Sequence, residues 1–323
     1  MNKINYLKSI QESRRDLLKA ALGAGLCTAL PAWAAQTSPA AIMTRPIPAT
    51  GEALPVIGIG TAIIFDIGDD AGKRAERAGV VSTLLAGGAK LVDTAPSYGS
   101  AESVVGDVIA DLKIRDRVFL ATKVRAGDDE RFSTQMQQSQ QRLHTQKIDL
   151  MQMHNVGFQD RKRFASQLAI LRERKQQGLF RYIGVTHSQR QEDANARLIE
   201  IMQQDRIDFI QVNYSMAERS VEESLLKVAA DTGTALLCNL PFGRASLFRA
   251  VRGKPVPEWA REFDASTWGQ FFLKYLLAEK AVNAVIPGTD KVEYMLDNLM
   301  AGRGRLPDAK MRQRMRDFID ALL

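Results

Sequence analysis

The sequence is poor in the residues that carry metal chemistry and covalent cross-links: 323 residues include two cysteines and three histidines. Cys27 lies in an N-terminal segment expected to be removed, so Cys238 has no internal partner and oxidation does not staple the fold. Cys238 sits in an apolar run, residues 235–240, and reads as a small buried hydrophobe before it reads as a reactive thiol. His144, His154 and His187 show no metal-ligand spacing, and no metal is expected. No uninterrupted apolar run reaches about 18 residues, so no transmembrane span is expected in the mature chain. No G-x-G-x-x-G turn follows a strand-like run; Gly58-Ile-Gly60 lacks the third glycine, which weakens an open doubly wound sheet. There is also no block of like charge interleaved with aromatics, so nucleic-acid binding has no support. The net charge of +7 is partly local. Lys3, Lys8, Arg14, Arg15 and Lys19 face only Glu12 and Asp16 at the front of the chain.

That front carries its own pattern. Residues 13–19, Ser-Arg-Arg-Asp-Leu-Leu-Lys, resemble the twin-arginine export motif. An apolar stretch follows over 20–30, and Pro31-Ala-Trp-Ala-Ala35 offers small residues to a signal peptidase after Ala34 or Ala35. An amphipathic helix with a chance Arg-Arg pair is the plainer alternative. The order of charged region, apolar region and cleavage site favours a signal peptide over residues 1–35. The twin-arginine translocase is then a partner during export, and the periplasm the destination. Residues 36–323 form the mature protein.

The rest of the chain alternates short β-branched runs with longer helical patterns, as βαβ units do. Strands are expected over 55–60, 90–94, 118–124, 149–154, 182–186, 209–213, 235–240 and 283–287. Helical patterns include 101–112, 133–143, 167–177, 193–203, 221–232, 267–279 and, in the tail, 308–322. Apolar residues recur at three- and four-residue spacing, as in Val104, Val105, Val108 and Ile109. Eight strands with helices between them predict a single-domain α/β protein, a closed (β/α)8 TIM barrel. Residues 45–52 read as a small hairpin closing the barrel floor. Residues 242–264 read as a long loop over the top.

Barrel chemistry sits at the C-terminal ends of the strands. Those ends carry Asp93, Lys123 and His154, and Tyr98 follows Asp93 where the next helix begins. Each has a plainer reading: a structural ion pair, a satisfied rim histidine, a tyrosine packed on a helix start. Taken together, at these strand ends, the four resemble the catalytic tetrad of the aldo-keto reductase family. The likeness covers nearly the whole mature chain, from Leu54 to about Asn298.

The chemistry follows from the residues. Carbonyl reduction needs a hydride at carbon and a proton at oxygen. A free tyrosine, with a pKa of about 10, holds its proton too tightly for an easy shuttle near neutrality. A nearby ammonium, Lys123, favours the phenolate. Asp93 pairs with that buried cation and keeps it charged. His154 donates to the carbonyl oxygen. A nicotinamide cofactor brings the hydride.

The resemblance also implies a cofactor site, expected to take NADP(H) rather than NAD(H). Thr186 and His187 stand where the family has the Ser and Asn that hold the nicotinamide amide, and Gln211 matches a third partner. Asn239 stands where a stacking Tyr is common; Phe242 is a candidate replacement. Gly288, Thr289, Lys291 and Asn298 resemble the segment that grips the adenosine end, although Gly288 and Tyr294 stand where relatives carry basic residues. Arg244 either clamps the pyrophosphate or is a solvated loop charge. Ile63, Ile64, Phe65, Arg125 and Phe158 are expected to line the substrate pocket. The expected function is reduction of a small-molecule aldehyde or ketone. The alternative is an exported binding or regulatory protein on the same scaffold. A cofactor loaded before export would meet its scarcity outside the cytoplasm.

Overall fold

The computed structural model describes residues 40–158, 160–188 and 194–323; the side chain of Phe158 and the expected signal peptide lie outside that set. A short hairpin comes first, β1 (Thr44–Pro46) antiparallel to β2 (Ala53–Pro55), with Thr44 opposite Pro55. Eight parallel strands follow: β3 (Gly58–Gly60), β4 (Leu91–Asp93), β5 (Phe119–Arg125), β6 (Ile148–His154), β7 (Phe180–His187), β8 (Phe209–Asn213), β9 (Ala235–Asn239) and β10 (Val282–Val285). Each pairs with its neighbour in chain order. The sheet curls until its ends meet: Ile57 bridges Val285, Val285 N donates to Val56 O at 2.9 Å, and Gly60 N to Pro287 O at 3.3 Å. The expected (β/α)8 barrel is therefore the observed one.

Strand side chains alternate between two faces, and this sequence uses both. Leu91, Phe119, Ala121, Leu150, Tyr182, Phe209, Ala235, Leu237 and Ala284 point inward and form one apolar cluster. Their chain neighbours, among them Val92, Leu120, Met151, Ile183, Ile210 and Leu236, point outward into the larger core beneath the helices. Inside, Tyr182 stacks on Phe119 with centroids 5.8 Å apart and meets the edge of Phe209 at 5.4 Å. Such pairs contribute about 0.5–1.5 kcal/mol each beyond their burial. Gly184 makes room for them: a Cβ there would stand 2.7 Å from Phe209 O. Ile47 and Leu54 of the hairpin join the same inner cluster, so the hairpin plugs the floor as expected.

The helices are α1 (Ala71–Ala86), α2 (Ala101–Asp111), α3 (Asp129–Arg142), α4 (Arg161–Gln176), α5 (Ala194–Asp205), α6 (Leu225–Thr232), α7 (Ser246–Ala250), α8 (Trp268–Leu277), α9 (Val292–Ala301) and α10 (Ala309–Asp320). Two begin earlier than their apolar repeat predicts. Asp128 and Asp160 accept hydrogen bonds from Arg131 N and Arg163 N, adding a polar capped first turn to α3 and α4. One begins later: residues 220–222 form a 3-10 turn ahead of α6. The expected loop over 242–264 holds α7 and a 3-10 turn, Glu258–Phe263, because Leu247, Ala260 and Phe263 bury apolar side chains. Among the described residues no helix is long and apolar enough to cross a membrane.

Candidate active site

One strand period above the apolar interior, the inward face turns polar. Asp93 follows Leu91, Lys123 follows Ala121, Gln152 follows Leu150 and Gln211 follows Phe209, all two residues on. All four are buried. Lys123 Nζ donates to Asp93 Oδ2 at 2.7 Å and to Thr94 O at 2.9 Å. Isolated burial of an ammonium costs several kcal/mol, so this pairing decides whether Lys123 stays charged. Burial pulls its pKa down, but the charge and hydrogen bond of Asp93, with a contribution from Tyr98, raise it overall. The second carboxylate oxygen, Asp93 Oδ1, accepts from Gln211 Nε2 at 2.8 Å and from Gln152 Nε2 at 3.4 Å.

Tyr98 stands over this pair on the turn between β4 and α2. Lys123 Nζ lies 5.0 Å from its ring centroid. His154, at the end of β6, meets the Tyr98 ring edge-on, with centroids 6.2 Å apart and planes at 86°. Burial, then the charges of Lys123 and Arg125, push the His154 pKa down to about 3. The imidazole is thus neutral near pH 7 and offers one N–H. No described group pairs with its Nδ1. The four residues expected from the strand ends are therefore neighbours, arranged as a partly exposed phenol above a buried cation and beside a neutral hydrogen-bond donor.

The remaining expected residues fall into three places. Beside the tetrad, Thr186 Oγ1 accepts from Asn155 N at 3.2 Å, and His187 is buried next to it. Three side chains not expected as site residues complete this edge. Asn155 Oδ1 accepts from both Ser188 N and Ser188 Oγ at 3.0 Å, and Asn213 Nδ2 donates to Ser188 O at 3.1 Å. Gln152 is not among the expected residues either, although its place two residues before His154, on the same inward face, marks it.

Further round the rim, a cavity of about 610 Å³ is lined by Ser188, Asn213, Ser215, Gly243, Arg244 and Arg249, with Glu218 also at its edge. Arg244 is exposed and lines this cavity. Phe242 packs against Phe248 at 4.8 Å and Phe272 at 6.5 Å, on α7 and α8. At the last strand end, Thr289 Oγ1 accepts from Lys291 N at 3.3 Å, Lys291 Nζ lies 5.4 Å from the Tyr294 centroid, and Asn298 is buried on α9. Gly288 lies against Gly60 O and Ile64.

The expected pocket lining needs one correction. Phe65 is fully buried in the outer core, 6.0 Å from the Arg77 guanidinium, and does not line a pocket. Ile63 adopts a left-handed backbone with φ of 69°, and the turn it makes folds Phe65 back under the rim. Ile63 itself is 79% exposed, and Arg125, at the end of β5, is also exposed. Cys238 is fully buried, donates to Tyr214 O at 3.0 Å, and has its pKa raised by burial, as a small core residue would.

Known proteins resemble this chain in both sequence and fold. An aldo-keto reductase of Strobilurus tenacellus is 24% identical over 273 residues, 73% of this chain and 79% of that protein. The NADH-specific methylglyoxal reductase of Escherichia coli is 28% identical over 200 residues, covering 54% of this chain and 59%, under two thirds, of its own length. A solved aldo-keto reductase of Klebsiella pneumoniae, in complex with NADP and acetate, superposes with a TM-score of 0.67 at 22% identity, over 83% of this chain and 93% of that one. The pattern of the aldo/keto reductase family matches residues 56–316. The chain belongs to the aldo/keto reductase family of NAD(P)H-dependent oxidoreductases.

Proposed function

We propose that this protein reduces an aldehyde or ketone to the alcohol, with Tyr98 giving the proton. The observation that carries this reading is the buried Lys123–Asp93 pair under the phenol, 1% and 3% exposed at the two side chains. A cation held there favours the phenolate that Tyr98 becomes as its proton moves to the carbonyl oxygen. His154, neutral with a pKa of about 3, donates to that oxygen and orients it without competing as an acid. The phenolate regains its proton from solvent through the exposed side of Tyr98. The alternative without turnover rests on His187, on Asn239 and on the scarcity of cofactor at the expected destination, but a pure binding protein has no use for a buried ammonium beneath a tyrosine.

The residues around the rim fit a dinucleotide. Among the described residues, no group pairs with the buried atoms Asn213 Oδ1, Ser215 Oγ or Asn239 Oδ1. The 610 Å³ cavity joins two of those side chains to Arg244 and Arg249, hydroxyl and cationic groups suited to a pyrophosphate. Thr186, His187 and Gln211 would face the nicotinamide amide, with Asn155 beside Thr186; Gly288, Thr289, Lys291 and Asn298 would hold the adenosine end. The bound nicotinamide supplies the hydride. The NADP complex of the Klebsiella relative favours NADP(H), and the NADH-specific Escherichia relative keeps NADH as the competitor to test. Fluorescence titration of the mature protein with each cofactor decides between them. Binding of neither would sink the proposal.

The protein is also proposed to work after export through the twin-arginine translocase. Support comes from the residue order over 13–35: paired arginines, apolar stretch, small-residue cleavage site.

A further inference from the structure

We propose that Gln152 is a positioning residue: its side-chain amide holds Asp93 in the orientation that Lys123 needs, at a cost to the stability of the barrel. The proposal rests on the reading of Tyr98 as proton donor.

Gln152 is fully buried on the inward face of β6, where the register sets it opposite Lys123 on β5 and Gly184 on β7. The residue two places earlier on that face is Leu150, and the layer below is apolar throughout. An apolar side chain would continue the pattern. Gln152 instead sends its Nε2 toward Asp93 Oδ1 at 3.4 Å, joining Gln211 at 2.8 Å on the same oxygen. Asp93 Oδ2 is thereby left to Lys123 at 2.7 Å. The two carboxylate oxygens are divided: one faces two neutral amide donors, the other faces the ammonium. Two donors on Oδ1 stop the carboxylate from turning about its own axis, so Oδ2 keeps its aim.

The other end of Gln152 shows what this costs. Its Oε1 is buried, and no described group donates to it. An amide oxygen buried without a donor costs stability, and such an atom in a native protein calls for an explanation. A methionine has nearly the same length and volume and carries no such atom. A residue kept for packing would therefore be better replaced; a residue kept for its Nε2 would not. The support for Lys123 is at stake as well, since Asp93 raises its pKa against the pull of burial. A looser Asp93 lets that pKa fall, and the ammonium is lost at lower pH.

The test compares Gln152→Met with the wild-type mature enzyme and with Tyr98→Phe, each saturated with cofactor. The expected result for Gln152→Met is a kcat lowered about tenfold, the loss of one hydrogen bond to a charged group. KM should stay within about twofold, since ground-state binding is untouched. The alkaline limb of the kcat profile should move to lower pH. The unfolding temperature should hold or rise. Wild-type kcat with an unmoved limb would overturn the proposal, and so would a lowered unfolding temperature, which would make Gln152 a packing residue. Undiminished turnover by Tyr98→Phe would remove the proton-donor reading instead. The unfolding temperature of Gln152→Met still measures the cost of the glutamine in that case, because it does not depend on which group gives the proton.

Discussion

Ser100 donates both its backbone N–H and its hydroxyl to Asp66 Oδ1, each at 2.9 Å, which fastens the loop after β3 to the turn that carries Tyr98. Gly68 N donates back to Ser100 Oγ at 2.9 Å. Between them Gly99 takes a φ of +60°, and a Cβ there would stand 2.3 Å from the Asp66 carboxylate. The turn that carries Tyr98 is thus tied to the loop that carries the exposed Ile63.

Asp66→Ala should therefore loosen Tyr98 without touching it. The expected effect is a kcat about threefold to tenfold lower, as for loss of hydrogen bonds to one carboxylate, with cofactor affinity unchanged. Gly99→Ala, which adds both a clash and a strained backbone, should do more damage than Asp66→Ala. Steady-state rates of the two variants at saturating cofactor would show the order; a wild-type rate in Asp66→Ala would mean the clip does not matter.

Tyr98→Phe and Lys123→Met should each lower kcat/KM by about 10²- to 10⁴-fold, the usual share of a general acid. Their effects should not multiply, because Lys123 acts through Tyr98. A double variant much slower than either single would show that the two residues act independently.

His154 makes the stability of the fold depend on pH. Its folded pKa of about 3 lies below the unfolded value near 6.5. Between those values the unfolded chain binds the extra proton, so stability rises with pH across that window and is lost as pH falls through it. His154→Gln removes the titrating group. The drop in unfolding temperature from pH 6.5 to pH 4 should be smaller in the variant than in the wild type, by calorimetry. Equal drops would mean that His154 is not held neutral by the fold.

Replacement of Arg14 and Arg15 by lysine should leave the full-length precursor inside the cytoplasm, while the wild-type chain yields a shorter periplasmic form. Fractionation with N-terminal sequencing reads both. A variant exported as well as the wild type would separate this protein from the twin-arginine route.

The tetrad is legible in the chain because a strand end is a simple address: inward parity plus the last turn of the strand locates Asp93, Lys123 and His154. The same parity marks Gln152, but a glutamine two residues before a histidine says nothing until the register puts it beside Asp93. Asn155 and Ser188 stand on different strand ends and meet only across the rim. Phe65 departs from its expected place for a local reason, since a left-handed backbone at an isoleucine is rare enough that nothing in Ala-Ile-Ile-Phe predicts the turn. The starts of α3 and α4 lie ahead of the expected ones, where Phe132 and Phe164 are buried in step with Met136 and Leu168; the caps Asp128 and Asp160 are the other available signals.

The seam of the barrel has a consequence for how the protein is made. Arg45 reaches the carbonyl of Val282, 237 residues later in the chain, and Ile57 bridges Val285. A ribosome has therefore delivered nearly the whole polypeptide before the first barrel strand meets the last. Until then the growing sheet has two raw edges, at β3 and at its newest strand, each able to recruit a stranger. Premature termination anywhere before β10 yields a sheet that never closes, so faithful completion of synthesis is itself a condition for solubility.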